Sequence, residues 1–197
     1  MHIEDPSTPQ LTDKELMAIA TTAIAGGVDT TRNGISFGLH ALATRPDLLA
    51  RLRASATQEK DIGRFVEEVL RFYSPVPQLP RITRKEAVLG GKTIPAGALV
   101  FLCWASANRD PQRFPDPDKF DLDRTNMRLH LAFGTGVHFC LGSMLARQEM
   151  KCAFTQIVNS VEALELALPQ EQLDLSTSMV ILRGLKSLPV RFRRAGA

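Results

Sequence analysis

The sequence has 197 residues, of which 44% are hydrophobic and 23% charged, with a formal net charge of +3. A chain of this length can bury one sizeable hydrophobic core but is short for two. Its few excess basic residues are scattered, which argues against nucleic acid as the main partner. The longest apolar run, residues 96–107, is too short for a membrane span, which needs ~20 apolar residues.

The first ten residues, MHIEDPSTPQ, contain acidic residues and prolines, whereas a secretory signal has a basic and then an apolar stretch. The three cysteines, Cys103, Cys140 and Cys152, are odd in number and lack CxxC spacing. They therefore predict neither a disulfide framework nor a zinc knuckle. We expect a cytoplasmic protein with reduced thiols, in which residues 1–10 form a flexible lead-in.

The first predicted element is a helix of roughly thirty residues. Thr12 and Glu15 have capping-box spacing, and apolar residues recur at helical intervals until the chain reaches Pro46. Gly26 and Gly27 interrupt this helix, which costs about 1 kcal/mol per glycine relative to alanine. We infer that a neighbouring group needs the space that these glycines leave.

Two shorter helices are predicted at 47–55 and 61–73, and a group of prolines ends the second. Residues 81–102 alternate and turn like a small sheet, with a hairpin at the adjacent glycines 90 and 91. The next segment, 108–124, is polar, proline-rich and contains aromatic residues, which predicts an ordered coil wrapped over the core.

The C-terminal part is predicted to contain a helix from about residue 141 to 160, then strands near 162–168 and 179–193. Together with the preceding elements, this indicates a mainly α fold with small β-sheets, of the α+β class.

Residues 133–142, FGTGVHFCLG, place three glycines around one cysteine. Gly134, Gly136 and Gly142 allow a close backbone approach or a positive φ. Cys140 precedes a predicted helix, whose N-terminal amides and dipole favour an anion such as a thiolate. A thiolate in a turn is a nucleophile or a metal ligand, and a buried, inert cysteine is the structural alternative.

A cysteine nucleophile needs a base, and His138 could serve only if the loop folded back. Zinc would need three further ligands, and the sequence has no Cys/His cluster to supply them. A single thiolate is sufficient for heme iron, because the porphyrin supplies the in-plane donors. Taken alone, the loop leaves the inert cysteine open.

Three further polar features stand out. Asp29 and Thr30 lie beside the glycine pair and indicate either a helix bend, relieved by a hydroxyl bond to a carbonyl one turn back, or a polar notch over a cofactor. Glu68 and Arg71 share a helix face, usually as an exposed pair worth only ~0.3 kcal/mol. Arg124 in the coil could reach a buried carboxylate such as Glu68.

In this order, four segments together resemble the cytochrome P450 superfamily of heme-thiolate monooxygenases, bacterial type: GGVDTT, EEVLR, ANRDPQRFPDPDKFDLDR and FGTGVHFCLGSMLARQE. The resemblance runs from residue 11 to the end and implies that 11–197 is the C-terminal, heme-ligating half of that fold. Family members are usually about twice this length. We therefore expect the N-terminal half, with its substrate-side helices and substrate-recognition loop, to be absent.

The resemblance implies that Cys140 is the axial thiolate ligand of the iron of heme b (iron protoporphyrin IX). Phe133 matches the aromatic residue beside that sulfur, and Gly134 and Gly142, with Gly136, match the small positions of the loop. His138 and Arg81 match residues that bind the heme propionates, for which a bidentate guanidinium is well suited. The residues that the resemblance implies to be cofactor-binding are therefore Arg81, Phe133, Gly134, His138, Cys140 and Gly142.

The same resemblance assigns roles to the other polar features. Asp29 and Thr30 match the acid–alcohol pair that delivers protons during dioxygen activation. Glu68, Arg71 and Arg124 match a buried ion-pair triad that holds the coil beneath the heme.

The resemblance implies a monooxygenase, or the catalytic half of one, that inserts one oxygen atom into a small organic substrate. Electrons would come from NAD(P)H through a ferredoxin or flavodoxin. The alternative is a truncated, non-catalytic heme-binding or interaction module whose long helix exposes an apolar stripe to a second polypeptide or to another copy. A third hypothesis is a heme-free remnant that persists by oligomerising. Residues 75–79 and 179–181 line the substrate pocket by analogy only.

Overall fold

The computed structural model describes residues 10–55, 57–179 and 181–196. Almost all of the predicted lead-in, residues 1–9, and position 180 of the predicted pocket lining lie outside the described residues. Within these described ranges, no helix combines the length and the apolar character that crossing a membrane requires.

The predicted long helix is confirmed as α1, Asp13–Thr44. Its capping box is complete, because Thr12 Oγ1 accepts from the Glu15 amide (3.3 Å) and a Glu15 carboxylate oxygen accepts from the Thr12 amide (2.8 Å). The two halves of α1 differ in their surroundings: residues 13–28 are all exposed, whereas most residues of 31–44 are buried or half-buried.

Among the described residues, three further helices of two or more turns pack against α1 or against one another. They are α2 (Pro46–Ala54), α3 (Gln58–Tyr73) and, after the one-turn helix α4 (Trp104–Ala107), α5 (Ser143–Ser160). The helix predicted from residue 141 thus begins at Ser143. Aromatic rings fill the space between helices: Phe65 of α3 meets Phe154 of α5 edge-on, with ring centroids 4.9 Å apart.

Glycines allow α1 and α5 to approach closely. A Cβ placed on Gly38 would lie 2.1 Å from Cζ of Phe154, and one on Gly34 would lie 3.1 Å from the end of Met150. These two glycines are one helical turn apart, so they form a smooth strip along α1. The packed half of α1 is therefore shaped to the side chains of α5.

The described strands form four antiparallel pairs, each of two strands. The pairs are β1 (Leu79–Ile82) with β4 (Leu99–Leu102), β2 (Ala87–Leu89) with β3 (Lys92–Ile94), β5 (Val161–Leu166) with β8 (Val190–Arg194), and β6 (Leu175–Met179) with β7 (Leu182–Leu185).

The predicted hairpin is present as β2–β3, where Gly90 (φ +55°) and Gly91 (φ +74°) supply the positive φ values of its two-residue turn. Two details of the prediction are wrong. Residues 81–102 form parts of two separate ladders instead of one small sheet, and residues 179–193 contain two strands that pair with different partners. Strand pairing joins distant residues, which a local pattern does not specify.

The polar segment after α4 is an ordered coil, as predicted. Residues 108–126 follow a series of turns without a regular helix or strand, and end at a short 3-10 helix, Met127–Leu129. Phe114 and Leu122 of this coil are almost completely buried. The coil is therefore a packed part of the fold.

Candidate functional site

The cysteine loop, residues 133–142, is closed by its own backbone. The Cys140 amide donates to the Phe133 carbonyl oxygen (3.0 Å), and the Phe139 amide donates to that of Gly136 (3.0 Å). Gly134 (φ +68°) and Gly136 (φ +72°) supply conformations that other residues rarely adopt. The loop thus fixes the backbone that carries the thiol.

Cys140 is exposed, so the interpretation as a buried, inert cysteine is wrong. Apolar neighbours in the same loop are exposed as well: Val137 by 97%, Leu141 by 101% and Phe139 by 51%. Water-facing apolar side chains grouped around a thiol mark a surface suited to an apolar binding partner.

Helix α5 begins just beyond the thiol. The Cys140 carbonyl oxygen accepts from the Ser143 amide at the start of α5 (3.2 Å). A Cβ on Gly142 would lie 4.0 Å from Cys140 Sγ, so the sulfur sits beside the residue that precedes the helix. The thiol therefore lies beside the N-terminus of α5.

The positive φ of Gly134 favours glycine, and a Cβ at this position would lie in ordinary contact with the Trp104 ring of α4, at 3.4 Å. Phe133 is half-buried and packs against the core cluster. The start of the loop is thus held by packing, whereas its tip is exposed.

The two predicted propionate ligands lie in different elements. His138 ends a short 3-10 helix two residues before Cys140 and is exposed. Arg81 is exposed in β1, where it pairs with Val100 of β4, and its guanidinium donates to the Pro80 carbonyl oxygen (2.8 Å). Both side chains are exposed to solvent.

Asp29 and Thr30 lie where α1 passes from exposed to buried. Thr30 Oγ1 donates to the Gly26 carbonyl oxygen (2.6 Å), the back-bond that relieves a helix bend. Asp29 pairs with Arg32 (3.1 Å), and its side chain is 49% exposed. A Cβ on Gly26 or Gly27 would meet nothing within 4 Å, so no described residue uses the space that they leave.

A shallow cavity of about 230 Å³ borders Asp29. Its other lining residues come from α1 and β7 and the residue after it, and include Arg32, Asn33, Leu182 and Lys186. A larger, open cavity of about 470 Å³ lies between α2 and the β5–β8 pair and contains no predicted site residue. The small cavity is therefore the one relevant to Asp29.

The structure brings Glu68, Arg71 and Arg124 together in the interior. Arg71 donates from Nε and Nη2 to the two Glu68 carboxylate oxygens, at 2.8 Å each, and both side chains are fully buried. Arg124 Nε lies 3.2 Å from Glu68 Oε1. The expectation of a weak, exposed i,i+3 pair is wrong, because the coil covers the pair.

The coil supplies the remaining acceptors for these charges. Arg71 Nη1 donates to the carbonyl oxygens of Asn108 (2.9 Å) and Pro117 (3.0 Å), and Arg124 Nη2 donates to that of Lys119 (2.9 Å). The Arg71 contacts tie the coil to α3, and the Arg124 contact joins two residues of the coil. The ion pairs therefore hold the coil in its observed path.

Sequence reasoning missed a second buried cluster, formed by Glu67, His130 and Arg147. Arg147 donates to both Glu67 carboxylate oxygens (2.7 and 3.1 Å), and His130 Nε2 lies 3.0 Å from Glu67 Oε2. Burial raises the pKa of Glu67, but its hydrogen bonds to His130 and Arg147 outweigh this and bring the pKa to about 2. The available signal was the second acid in EEVLR, whose partners are 63 and 80 residues away.

This cluster touches the cysteine loop. The Arg147 guanidinium carbon lies 4.4 Å from the centroid of the Phe133 ring, and the His130 ring lies 6.0 Å from it. The Phe133 carbonyl oxygen in turn accepts a hydrogen bond from the Cys140 amide. Glu67 is therefore linked to the thiol-bearing residue through a short series of contacts.

The donor set at the loop fits a metal held by a macrocycle. In the part of the chain that the structure describes, no group of three or more His, Cys, Asp or Glu side chains could hold a metal ion. A single exposed cysteine among apolar side chains matches a heme iron, whose porphyrin supplies four donors and a broad apolar surface.

Comparison with known proteins identifies the family. The family model for cytochrome P450 matches residues 1–186. Cytochrome P450 monooxygenase PikC of Streptomyces venezuelae is 41% identical over 197 aligned positions, which cover 96% of this chain and 45% of that protein. Cytochrome P450 CYP199A2 of Rhodopseudomonas palustris is 38% identical, with 95% of this chain and 44% of that protein covered.

Solved structures agree. The substrate-free cytochrome P450 CYP150A6 of Mycobacterium marinum superposes with a TM-score of 0.89 at 37% identity, covering 98% of this chain and 48% of that one. The chain belongs to the cytochrome P450 family. It spans about half the length of the relatives it matches.

Proposed function

We propose that this chain provides the heme-ligating part of a cytochrome P450-type monooxygenase. The observation that carries the proposal is Cys140, an exposed thiol held by a backbone-closed glycine loop and surrounded by exposed apolar residues. Family membership supports the same chemistry. A monooxygenase of this class would insert one oxygen atom into a small organic substrate.

Cys140 would ligate the heme iron, with Phe133 and the loop glycines beside the sulfur. His138 and Arg81 would bind the propionates, to which a guanidinium can donate two parallel hydrogen bonds. When bound, heme supplies the dioxygen activation and electron transfer that amino-acid side chains cannot perform. The protein then supplies orientation, apolar surroundings and protons.

Asp29 and Thr30 would supply the protons. Thr30 Oγ1 now donates to the Gly26 carbonyl oxygen, and a rotation of this hydroxyl would turn its proton away from the helix. Asp29 is half exposed beside Arg32, so it can exchange protons with water. We expect Thr30→Ala in the active enzyme to uncouple oxygen consumption from product formation, and unchanged coupling would contradict this role.

Electrons would come from NAD(P)H through a ferredoxin or flavodoxin, as the family resemblance implies. Among the similar solved structures, one is of P450BioI, 37% identical to this chain, in complex with an acyl carrier protein ligated to hexadec-9Z-enoic acid.

The test is heme reconstitution of the purified chain, followed by the carbon monoxide difference spectrum of its ferrous form. We expect the band typical of thiolate ligation. Cys140→Ser should abolish it, whereas Cys152→Ser, which alters another exposed cysteine, is the matched control and should retain it. A thiolate band in Cys140→Ser, or no heme uptake by the unaltered chain, would contradict the proposal.

A second candidate function rests on the exposed half of α1. Several of its large apolar residues are 50–67% exposed: Leu16, Met17, Ile19, Ile24 and Val28. Such a stripe suits an interaction module that binds a second polypeptide or another copy of the chain. Sedimentation of the heme-free chain tests this idea, since a monomer that stays monomeric at high concentration would argue against self-association.

A further inference from the structure

We propose that Glu67 is a positioning residue that sets the orientation of Cys140 by tying together the two ends of the cysteine loop. The cluster consists of Glu67, His130 and Arg147, and we call it the Glu67 cluster. The role of Cys140 as the iron ligand rests on the proposed function. The link from Glu67 to the loop stands on the contacts of this chain alone.

Both oxygens of the Glu67 carboxylate accept hydrogen bonds. Arg147 Nε lies 2.7 Å from Oε1 and Arg147 Nη2 lies 3.1 Å from Oε2, a bidentate pair. His130 Nε2 lies 3.0 Å from Oε2. The carboxylate and the imidazole are both buried, so these contacts are protected from competition with water.

His130 secures the segment that leads into the loop. The amide of Ala132 donates to His130 Nδ1 (3.2 Å), so Nδ1 acts as the acceptor and Nε2 is the ring nitrogen that donates to Glu67. The neighbouring Leu131 amide donates to the Asn108 side chain (2.6 Å). The backbone just before Phe133 is therefore fixed by two side chains.

Arg147 secures the other end of the loop. It lies near the start of α5, and its guanidinium also covers the Phe133 ring at 4.4 Å. The Phe133 carbonyl oxygen accepts a hydrogen bond from the Cys140 amide. A shift of the Phe133 ring or backbone would therefore move the residue that carries the thiol. The Glu67 carboxylate on α3 thus holds residues on both sides of Cys140, His130 before the loop and Arg147 after it.

Glu67 and Glu68 are adjacent in the sequence but bind different partners. Successive residues of a helix point about 100° apart, so one carboxylate faces the loop and the other faces the coil. Glu68 binds Arg71 and Arg124, and shares no ion pair with the Glu67 cluster. Substitutions at the two positions should therefore disturb different parts of the chain.

The first test uses amide hydrogen exchange of the heme-free chain, and so does not depend on heme binding. Three loop amides have backbone acceptors and report on loop order: Gly134, Phe139 and Cys140. In Glu67→Gln we expect their exchange to accelerate about tenfold, as expected for loss of a charge-assisted hydrogen bond. Amides in the centre of α3 should keep their rates.

The matched control is Glu162→Gln. Glu162 also accepts two hydrogen bonds from one arginine, Arg193, but lies on β5 at the surface. This variant should leave the loop amides unchanged. Unchanged loop exchange in Glu67→Gln, or an equal rise across α3 and α5, would overturn the proposal because the carboxylate would then have no specific effect on the loop.

The second test uses the heme-loaded chain and Arg147→Lys, which keeps the charge but removes the planar fork. We expect a reduced share of the thiolate-type carbon monoxide band in both Glu67→Gln and Arg147→Lys, with the smaller change in the lysine variant. An unaltered spectrum in Glu67→Gln would overturn the positioning role. If the unaltered chain took up no heme, the proposed function would fail while the exchange test still decided the role of Glu67.

Discussion

The two halves of α1 have the same backbone conformation and opposite surroundings. Residues 31–44, the packed half, lie against α3 and α5, with Phe37 and Leu42 almost completely buried. Residues 13–28, the open half, are exposed on every side although their apolar residues recur at helical spacing. An apolar pattern therefore shows that a helix is built for a packing partner, and the tertiary structure shows whether this chain supplies that partner.

The glycines of α1 show the same contrast. Gly34 and Gly38 in the packed half accommodate Met150 and Phe154, whereas Gly26 and Gly27 in the open half face no described atom within 4 Å. Polar side chains show a similar contrast: the Glu68 carboxylate is buried beneath the coil, whereas the Cys140 thiol faces solvent. The packed region stabilises the fold, and the open segments carry the candidate chemistry.

The largest effect is expected in the packed region. Glu68→Gln removes the charge that two buried arginines share, and breaking a buried pair from one side typically costs about 3–5 kcal/mol. The free energy of unfolding from urea denaturation would measure this loss. Glu162→Gln at the surface is the control, and equal losses in both variants would show that burial does not set the cost.

A smaller, pH-dependent effect is expected at Glu67. Its folded-state pKa of about 2 lies below the ordinary 4.5, so its contribution is present above pH 4.5 and is lost as the pH falls through 2. His130 and Arg147 are the groups facing it. The deficit of Glu67→Gln relative to the unaltered chain should be about 2 kcal/mol smaller at pH 3 than at pH 7.

This pH effect is measured by urea unfolding of both proteins at the two pH values. The difference between them removes the contributions of the other carboxylates. A deficit that stayed constant with pH would show that the Glu67 carboxyl has the same pKa in the folded and unfolded chain.

Glycine-to-alanine substitutions should change the free energy of unfolding in opposite directions in the two halves of α1. Gly38→Ala forces Phe154 to move and should cost about 1–3 kcal/mol. Gly26→Ala meets no atom within 4 Å and should stabilise the heme-free chain by about 1 kcal/mol, because alanine is the better helix former. Thermal unfolding of the two variants would compare them, and destabilisation by Gly26→Ala would mean that the space is occupied in solution.

The smallest effect is expected at Ile24 in the open half, which is 67% exposed. Ile24→Ala should change the free energy of unfolding by less than about 0.5 kcal/mol, as for other surface substitutions. Unfolding would be followed at low and high protein concentration. A loss that appeared only at high concentration would indicate that copies of the chain cover this half.

Several features were predictable because their causes are local. Thr12 and Glu15 marked the start of α1, Gly90 and Gly91 marked a hairpin, and the residues flanking Cys140 marked the loop. The burial of Glu68 was not predictable from its i,i+3 partner, since the pair would be weak on an open helix. It depends on carbonyl groups of a coil about 40–50 residues further along the chain.

The sequence by itself determined the helices, the turn glycines and the family resemblance, because capping, φ preferences and motif order act within short stretches of chain. Only the tertiary structure decided that Glu67 joins His130 and Arg147, that residues 81–102 divide between two ladders, and that one half of α1 is packed while the other is open. These features depend on contacts between distant residues, and such contacts exist only after the chain has folded.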